Sequence, residues 1–407
     1  MELGPILRAM TRHRARFLLI ALEVALTLAI VANSVSLILD ARAEMTRPSG
    51  FDEDNLISVV STPFADELQD PQRARQLVDE DLQALRALPG VRAASNTTLL
   101  PWGFNTMVMP ARPIGTQGDG LPMQLVFADP GLVDTLGIGI AQGRNLTRDD
   151  YEAGRQHSGE MTHFQGNVLL TQALADAFYP QGNAVGKVLE MPDAPGRFTV
   201  VGIVDKFYKP SGGGIEERAA VFPLPAGGQS GVTYLVRVQP GQRDAVAADV
   251  EKALLGINDG RNLRVRTIEE VRKRYHTEDR LLVASLNAVM FLLLLVTALG
   301  IIGLTSFSVA ERRRQIGTRR ALGATKAAIV RHFLLENWLI VTSGAVLGLA
   351  LAYALNYGLV TWIQGTKLDL GMLAAGVVAL WVLGILSALG PALKAAAVPP
   401  AIATRNV

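Results

Sequence analysis

The sequence predicts a membrane α-helical protein, with four transmembrane helices and a large α+β extracytoplasmic domain inserted between helices 1 and 2. Three observations support this fold class. Four long stretches of the chain are nearly free of charged residues, and basic residues collect at particular ends of those stretches. The long polar segment between the first two stretches alternates strand-like and helix-like patterns. A helix needs about 20 apolar residues to cross a bilayer, so each stretch is long enough.

The first observation identifies the spans. We take four charge-poor stretches as transmembrane helices 1 to 4: residues 17–39, 281–310, 337–366 and 370–393. The second has no Asp, Glu, Lys or Arg, whereas the first contains one acid, Glu23. An ionisable group inside a span is costly to insert, so Glu23 is a candidate for a transport or gating role. The alternative is a carboxylate that reaches water, or an arginine such as Arg16, from about two helical turns inside the membrane.

The basic residues predict the orientation. They lie in the N-terminal segment 1–16, in segment 311–336 and in the tail 394–407, and the positive-inside rule places all three in the cytoplasm. We therefore expect a protein of the bacterial inner membrane whose residues 40–280 form a domain in the periplasm. A cleavable signal peptide is the alternative for the first span, because Ala41-Arg42-Ala43 has the form of a cleavage site. Its apolar run of about 22 residues is longer than the 7–15 of a signal peptide and favours a retained anchor.

The periplasmic domain is predicted to be a split α+β platform, residues 51–100 and 226–280, with an inserted β-rich lobe, residues 101–225. Two βαβ-like units form the platform. The first has strands at 56–60 and 91–100 around a helix at 70–88. The second has strands at 233–238 and 262–267 around a helix at 243–257. Residues 268–280 are expected to be helical and to continue into the second span without a break, as a rigid stalk.

Several functions are disfavoured. The chain has no cysteine, so its outer domain has no disulfide, and its size allows a sufficient core without one. The outer domain has no basic stripe interleaved with aromatic residues, so nucleic acid is not expected as a partner. His157 and His163 lack the spacing that places two imidazoles on one helical face, so we predict a solvated loop and no metal site. The sequence shows no pattern that resembles a nucleophile with its base, so we predict no enzyme active site.

The segment after the second span carries a motif. It reads Glu311-Arg312-Arg313-Arg314-Gln315-Ile316-Gly317, then Arg320-Ala321-Leu322-Gly323-Ala324-Thr325, then Phe333-Leu334-Leu335-Glu336. This motif resembles the FtsX-type permease signature of MacB-like ABC transporters. The family commonly has an acid where this chain has Gln315, so a charged contact made by that acid does not carry over.

Further segments are similar to the MacB-like periplasmic core and to the end of the permease module. They are Leu136-Gly137-Ile138, Gly143-Arg144-Asn145-Leu146, Gly186-Lys187, Val200-Val201-Gly202-Ile203-Val204 and Pro391-Ala392-Leu393-Lys394-Ala395-Ala396. The resemblance covers nearly the whole chain and includes the order of one span, a large outer domain and three spans.

The resemblance implies a permease driven by a separate ATPase. The chain has no G-x-x-x-x-G-K-[ST] phosphate loop, so we expect ATP and Mg to be bound by ABC ATPase subunits and no cofactor by this chain. The expected coupling residues are Glu311, Arg312, Arg313, Arg314, Ile316, Gly317, Arg320, Leu322, Gly323 and Ala324. The alternative for this segment is a basic helix that only anchors on anionic lipid headgroups.

The resemblance also implies dimers. Gly344 and Gly348 form a G-x-x-x-G pair that would allow close helix packing in the membrane. The partner is a second copy or a similar permease, and a periplasmic adaptor and an outer-membrane channel are compatible with the family.

Three functions follow from the resemblance. The first is export, or extrusion from the periplasm, of a peptide, drug-like or lipid-linked substrate by mechanotransmission. The second is an FtsX-like regulatory permease that controls an envelope enzyme without transport. The third is lipoprotein release of the kind carried out by LolC- and LolE-like relatives. The size of the outer domain favours the first or the third.

Overall fold

The computed structural model describes residues 14–64, 70–103, 107–156, 164–192, 196–205, 207–210, 214–227, 231–363 and 368–399. The motif from His157 to His163 lies outside the described residues. The chain divides into two compact units. The membrane unit comprises Met1–Thr46 and Glu278–Val407, and the outer domain comprises Arg47–Thr277.

The described helices, in chain order, are α1 (Arg14–Thr46), α2 (Pro71–Ala87), α3 (Leu132–Leu136), α4 (Arg148–Gln156), α5 (Gln172–Phe178), α6 (Arg243–Ile257), α7 (Ile268–Tyr275), α8 (Thr277–Glu311), α9 (Arg313–Ala321), α10 (Lys326–Ile363) and α11 (Leu370–Ala396). The strands are β1 (Leu56–Pro63), β2 (Val91–Asn96), β3 (Met107–Pro113), β4 (Leu121–Phe127), β5 (Ile140–Gly143), β6 (Gln165–Thr171), β7 (Val188–Glu190), β8 (Arg197–Val204), β9 (Ala219–Phe222), β10 (Val232–Val238) and β11 (Arg261–Thr267).

Four of the described helices, α1, α8, α10 and α11, are long and apolar enough to cross a membrane. Each extends beyond the apolar run that predicts it, because helical structure continues into the flanking polar residues. The Ala41-Arg42-Ala43 motif lies inside the continuous helix α1. Apolar residues of α1, α8, α10 and α11 form a shared core around Val24, Leu28, Ile301, Val341 and Ala388.

The first sheet of the outer domain has the strand order β11–β1–β10–β2, with every neighbouring pair antiparallel. Strand β10 lies between β1 and β2, and β1 lies between β10 and β11. The two predicted βαβ units are therefore split and interleaved in one sheet, as in ferredoxin-like folds. Apolar side chains of alternate strand residues pack with α2 and α6, for example Ile57, Val59, Val236, Leu82 and Val250.

A buried ion pair joins α2 to the edge strand β11. Arg261 donates to both carboxylate oxygens of Asp81, with Nη2 2.9 Å from Oδ1, and neither side chain is exposed. The hydroxyl of Tyr234 donates to Asp81 at 2.7 Å. Burial, with the charge of Asp81 beside it, raises the pKa of Tyr234 well above its usual value, so the hydroxyl stays protonated. This network fixes the register of the helix on the sheet.

The second sheet is mixed and seven-stranded, with the order β5–β8–β6–β9–β4–β3–β7. All its strands come from the middle of the domain, and helices α3, α4 and α5 lie in the same part of the sequence. Its core contains edge-to-face aromatic rings, with Phe222 5.7 Å from Phe164 and 5.2 Å from Phe198. The predicted class of an α+β domain between the first and second membrane helices is confirmed.

The expected unbroken helix from residue 268 into the second span is wrong. Helix α7 ends at Tyr275, and His276 adopts φ −86° and ψ 18° before α8 begins at Thr277. The imidazole of His276 is buried, with its ring centroid 5.2 Å from that of Trp102 and 5.0 Å from that of Tyr275. These ring contacts within the outer domain account for the interruption, which the local helical pattern does not reveal.

Candidate functional site

The basic segment between α8 and α10 folds into a short helix and a tight turn. Arg312 interrupts the helix after α8, and α9 follows. At the end of α9 the N–H of Ala324 donates to the carbonyl of Arg319, and the N–H of Gly323 donates to that of Arg320. This is a Schellman motif, in which the residue at Gly323, with φ +94°, must be left-handed. The Leu322-Gly323-Ala324 part of the sequence motif is therefore a helix stop signal.

One side of the segment is fixed to the membrane bundle. Ile316 and Gly317 are buried, and Ile316 packs among Phe333 of α10 and Ala392 and Ala395 of α11. Ala324 is half-buried against the same cluster. The arrangement makes α9 a rigid extension of the ends of α10 and α11.

Two arginines reinforce this attachment. Arg320 donates from Nη1 to the carbonyls of Ala396, at 2.7 Å, and Val398, at 3.3 Å, which lie at the C-terminal end of α11. A cation is stabilised there by the helix dipole. Arg312 donates from Nη1 to Oε2 of Glu336 at 3.0 Å, and the glutamate side chain is only 6% exposed. The pair thus links the residue before α9 to a point about three turns after the start of α10.

The other side of the segment faces outward. Leu322 is 83% exposed at the tip of the turn, and Arg313, Arg314, Gly323 and Glu311 are also exposed. The ten predicted coupling residues therefore fall into two sets. Arg312, Ile316, Gly317, Arg320 and Ala324 hold the segment in place, and the outward five form a basic surface with one apolar side chain at its tip.

The glycine pair of the third span lies at the crossing of α10 and α1. A Cβ at Gly344 would lie 2.7 Å from the carbonyl oxygen of Ala21, and one at Gly348 would lie 2.9 Å from that of Ala25. Only glycine allows the two backbones to approach this closely. The structure therefore uses the pair within one chain, between its first and third membrane helices.

Glu23 lies at the contact between α1 and α8. A Cβ added to Gly300 would lie 2.7 Å from its Oε2, and its Oε1 is buried with no hydrogen-bond partner among the described residues. One turn further along, the hydroxyls of Thr27 and Thr297 are hydrogen-bonded at 2.8 Å. The side chain of Arg16, the partner suggested by the sequence, lies outside the described residues.

Several polar contacts of the bundle were not predicted. Asn33 of α1 donates to the carbonyl of Ala352 at 3.2 Å, and Asn337 of α10 donates to that of Gly384 at 2.8 Å. Both asparagines are buried within apolar spans. A side-chain amide inside a membrane needs a hydrogen-bond partner. The two asparagines within apolar spans were therefore the signal in the sequence that could have predicted these contacts.

The outer domain contains a cavity of about 450 Å³ on the face of the four-stranded sheet opposite α2 and α6. Its lining combines the hydroxyls of Ser58, Thr97 and Thr233 with two arginines of β11, Arg264 and Arg266. Strand alternation places both arginines on this face, and Arg261 on the other. The volume lies within the range of small-molecule sites.

Comparisons with known proteins agree with this organisation. Residues 17–253 match the MacB-like periplasmic core domain, and residues 287–400 match the FtsX-like permease C-terminal domain. Membrane helices with these two domains define an ABC transporter permease. The chain belongs to the MacB-like family of these permeases, as its motifs predict.

Individual relatives are distant. The macrolide export ATP-binding/permease protein MacB of Hahella chejuensis is 24% identical, over 96% of this chain and 58% of its own length. The uncharacterised ABC transporter permease YknZ of Bacillus subtilis is 22% identical, over 86% of this chain and 85% of its own. The periplasmic region of MacB from Actinobacillus actinomycetemcomitans matches 57% of this chain and 98% of its own, with 14% identity and a TM-score of 0.38. The chain spans about half the length of the MacB relatives that it matches.

Proposed function

We propose that this chain is the transmembrane subunit of a MacB-type ABC transporter, driven by a separate ATPase that docks on the outward side of the α9 segment. The exposure of Leu322 is the observation that carries the proposal. Leu322 lies at the tip of a tight turn, and Arg313, Arg314 and Arg319 are exposed on the helix before it, so the segment offers one apolar anchor and a basic helix to a groove on a partner protein. The Schellman motif holds the turn in one shape, which reduces the entropy lost on docking.

The inward contacts supply the path of coupling. A force on Leu322 acts on α9, which cannot move independently of α10 and α11 because Ile316 and Arg320 hold it there. Helix α10 in turn contacts α1 along Gly344 and Gly348. Displacement of the docked ATPases during ATP hydrolysis would therefore move the membrane bundle as a whole, and the outer domain would respond through the chain that joins it to α1 and α8.

The proposed substrate is a peptide, a drug-like molecule or a lipid-linked molecule, exported or extruded from the periplasm. The cavity beside Arg264 and Arg266 is large enough to bind part of such a molecule. In this proposal both termini and the α9 segment lie in the cytoplasm, as the distribution of basic residues indicates. Two permease chains, identical or similar, would act with two ATPases, and a periplasmic adaptor and an outer-membrane channel complete an export system.

The test is co-purification from native membranes. The tagged chain, extracted in mild detergent, should retain an ATPase with a phosphate loop, identified by mass spectrometry. Leu322→Asp should lose that ATPase, and the matched Leu322→Met should keep it, because methionine preserves the apolar contact. An intact preparation without any ATPase, or equal recovery with Leu322→Asp, would reject the proposal. A recovered adaptor would favour export, whereas a recovered hydrolase would favour regulation of an envelope enzyme.

A further inference from the structure

The membrane unit carries an open groove between α10 and α11, with a volume of about 910 Å³. On α10 the lining residues recur every four positions, for example Val330, Leu334 and Trp338, so they lie on one face of the helix. Most of its lining is apolar, and the main contributors are Val330, Leu334, Leu335, Trp338, Ile385 and Leu393. In a bilayer such a groove must be filled, because an empty one would deprive its walls of van der Waals partners.

Charge is confined to one end of the groove. Lys326 and Arg331 line the end at which α10 begins, beside Ala396 and Ala397 of the neighbouring helix terminus. None of the described residues that line the groove is acidic. On α11 the groove runs from Ile385 to Ala397, about 18 Å at 1.5 Å per residue, and its apolar part from Ile385 to Leu393 lies within the fourth predicted span. That length is comparable with one leaflet of hydrocarbon, which is about half of a 30 Å bilayer core.

We propose that this groove is a specific site for an anionic phospholipid. The acyl chain lies along Leu334, Trp338 and Ile385, and the phosphate of the headgroup is bound by Lys326 and Arg331. The pattern of charge favours a lipid over a protein segment, because cations at one end and an apolar wall for the rest match the two parts of a phospholipid. Basic pockets between membrane helices recognise anionic headgroups in the same way. Because Ile316 and Phe333 lie close behind the basic end, the lipid would also brace α9.

Trp338 provides the direct test, since brominated acyl chains quench tryptophan on contact. The full chain is reconstituted into vesicles that contain brominated phosphatidylglycerol or brominated phosphatidylcholine, and the signal of Trp338 is obtained by subtracting the Trp338→Phe variant. We expect phosphatidylglycerol to quench at a mole fraction about 25-fold lower, because each basic residue contributes about a fivefold preference. Lys326→Ala combined with Arg331→Ala should abolish this preference.

Lys394→Ala is the matched control. Lys394 is exposed on α11 near the same end but does not line the groove, so its loss should leave the lipid preference unchanged. Equal quenching of the wild type by both lipids would overturn the proposal, as would an effect of Lys394→Ala equal to that of the double variant. Absence of quenching by either lipid would show that protein covers the groove, and would also overturn it. The experiment needs no ATPase, so its outcome is independent of the coupling proposal.

Discussion

Arg312 and Glu336, which lie at the two ends of the motif segment, form an ion pair of 3.0 Å that closes the segment onto α10. Both side chains are largely buried, so loss of either partner leaves a charge with little access to water. Removing one partner of such a pair typically costs about 3–5 kcal/mol. The pair therefore holds the surface around Leu322 in a defined position relative to the membrane helices.

The first prediction concerns this pair. Arg312→Gln should reduce stimulation of the partner ATPase by at least tenfold while membrane insertion is retained, because α9 is no longer held at the residue that precedes it. Measurement of ATPase activity in vesicles checks this. The exchange Arg312→Glu with Glu336→Arg should recover part of the stimulation. If the single variant stimulates normally, the pair has only a stabilising role.

The second prediction concerns the crossing of α1 and α10. Gly348→Leu should lower the thermal unfolding midpoint in detergent, because its side chain would displace the backbone of Ala25; overpacking of this kind costs about 1–3 kcal/mol. Gly358→Leu is the control on the same helix, since a Cβ there meets none of the described residues within 4 Å. Similar midpoints for the two variants would show that α1 and α10 are not in close contact.

The third prediction concerns Glu23. Glu23→Gln should keep full transport and raise the unfolding midpoint, because an amide avoids the cost of a buried charge beside Gly300 whose Oε1 has no hydrogen-bond partner among the described residues. Transport into vesicles and thermal unfolding are measured together. A large loss of transport at unchanged stability would instead assign a gating role to the carboxylate.

The fourth prediction concerns pH and the outer domain. Burial alone would raise the pKa of Asp150, but hydrogen bonds from Arg144, Asn167 and Thr147 outweigh it and hold the pKa well below its usual value. The ionised form therefore stabilises the folded state. This contribution is fully present above the unfolded pKa of 3.8 and is lost as the pH falls towards the folded value.

Asp150 and Thr147 form a capping box at the start of α4, in which each side chain accepts from the backbone N–H of the other residue. Asp150→Asn should accordingly destabilise the outer domain at pH 7 by about 1 kcal/mol, the usual cost of a weakened helix cap. As the pH falls below 3.8 towards the folded pKa, the difference in stability between the variant and the wild type should shrink steadily. The exposed neighbour Asp149 provides the control variant Asp149→Asn, which should follow the wild type throughout. Chemical unfolding across this pH range, followed by Trp102 fluorescence, checks both. A constant difference between Asp150→Asn and the wild type at every pH would reject the electrostatic explanation.

Local patterns predicted much of the fold. The helix at α6 has the bounds that its apolar periodicity indicates, and strands β1, β10 and β11 lie within one to three residues of their predicted limits. Patterns of this kind depend on neighbours in sequence. The interleaving of the two βαβ units was not predicted. It depends on the pairing of β10 with β1 and β2, which are far from it in the sequence.

The candidate site shows the same division. The motif predicted which residues belong to the coupling segment, and Gly323 is a helix stop by its conformational freedom alone. It did not predict that Ile316 and Arg320 face the bundle while Leu322 faces outward. That sorting is set by packing against α11, which lies more than fifty residues further along the chain.

By itself, the sequence determined the four membrane helices, the α+β class of the outer domain and the family, because charge-free length, periodicity and short motifs are local properties. Only the tertiary structure decided which polar groups meet inside the bundle, where α7 stops, and that Gly344 and Gly348 serve a contact within the chain. Each of these outcomes depends on the distance between atoms of separate helices or loops, which is set when the elements pack together.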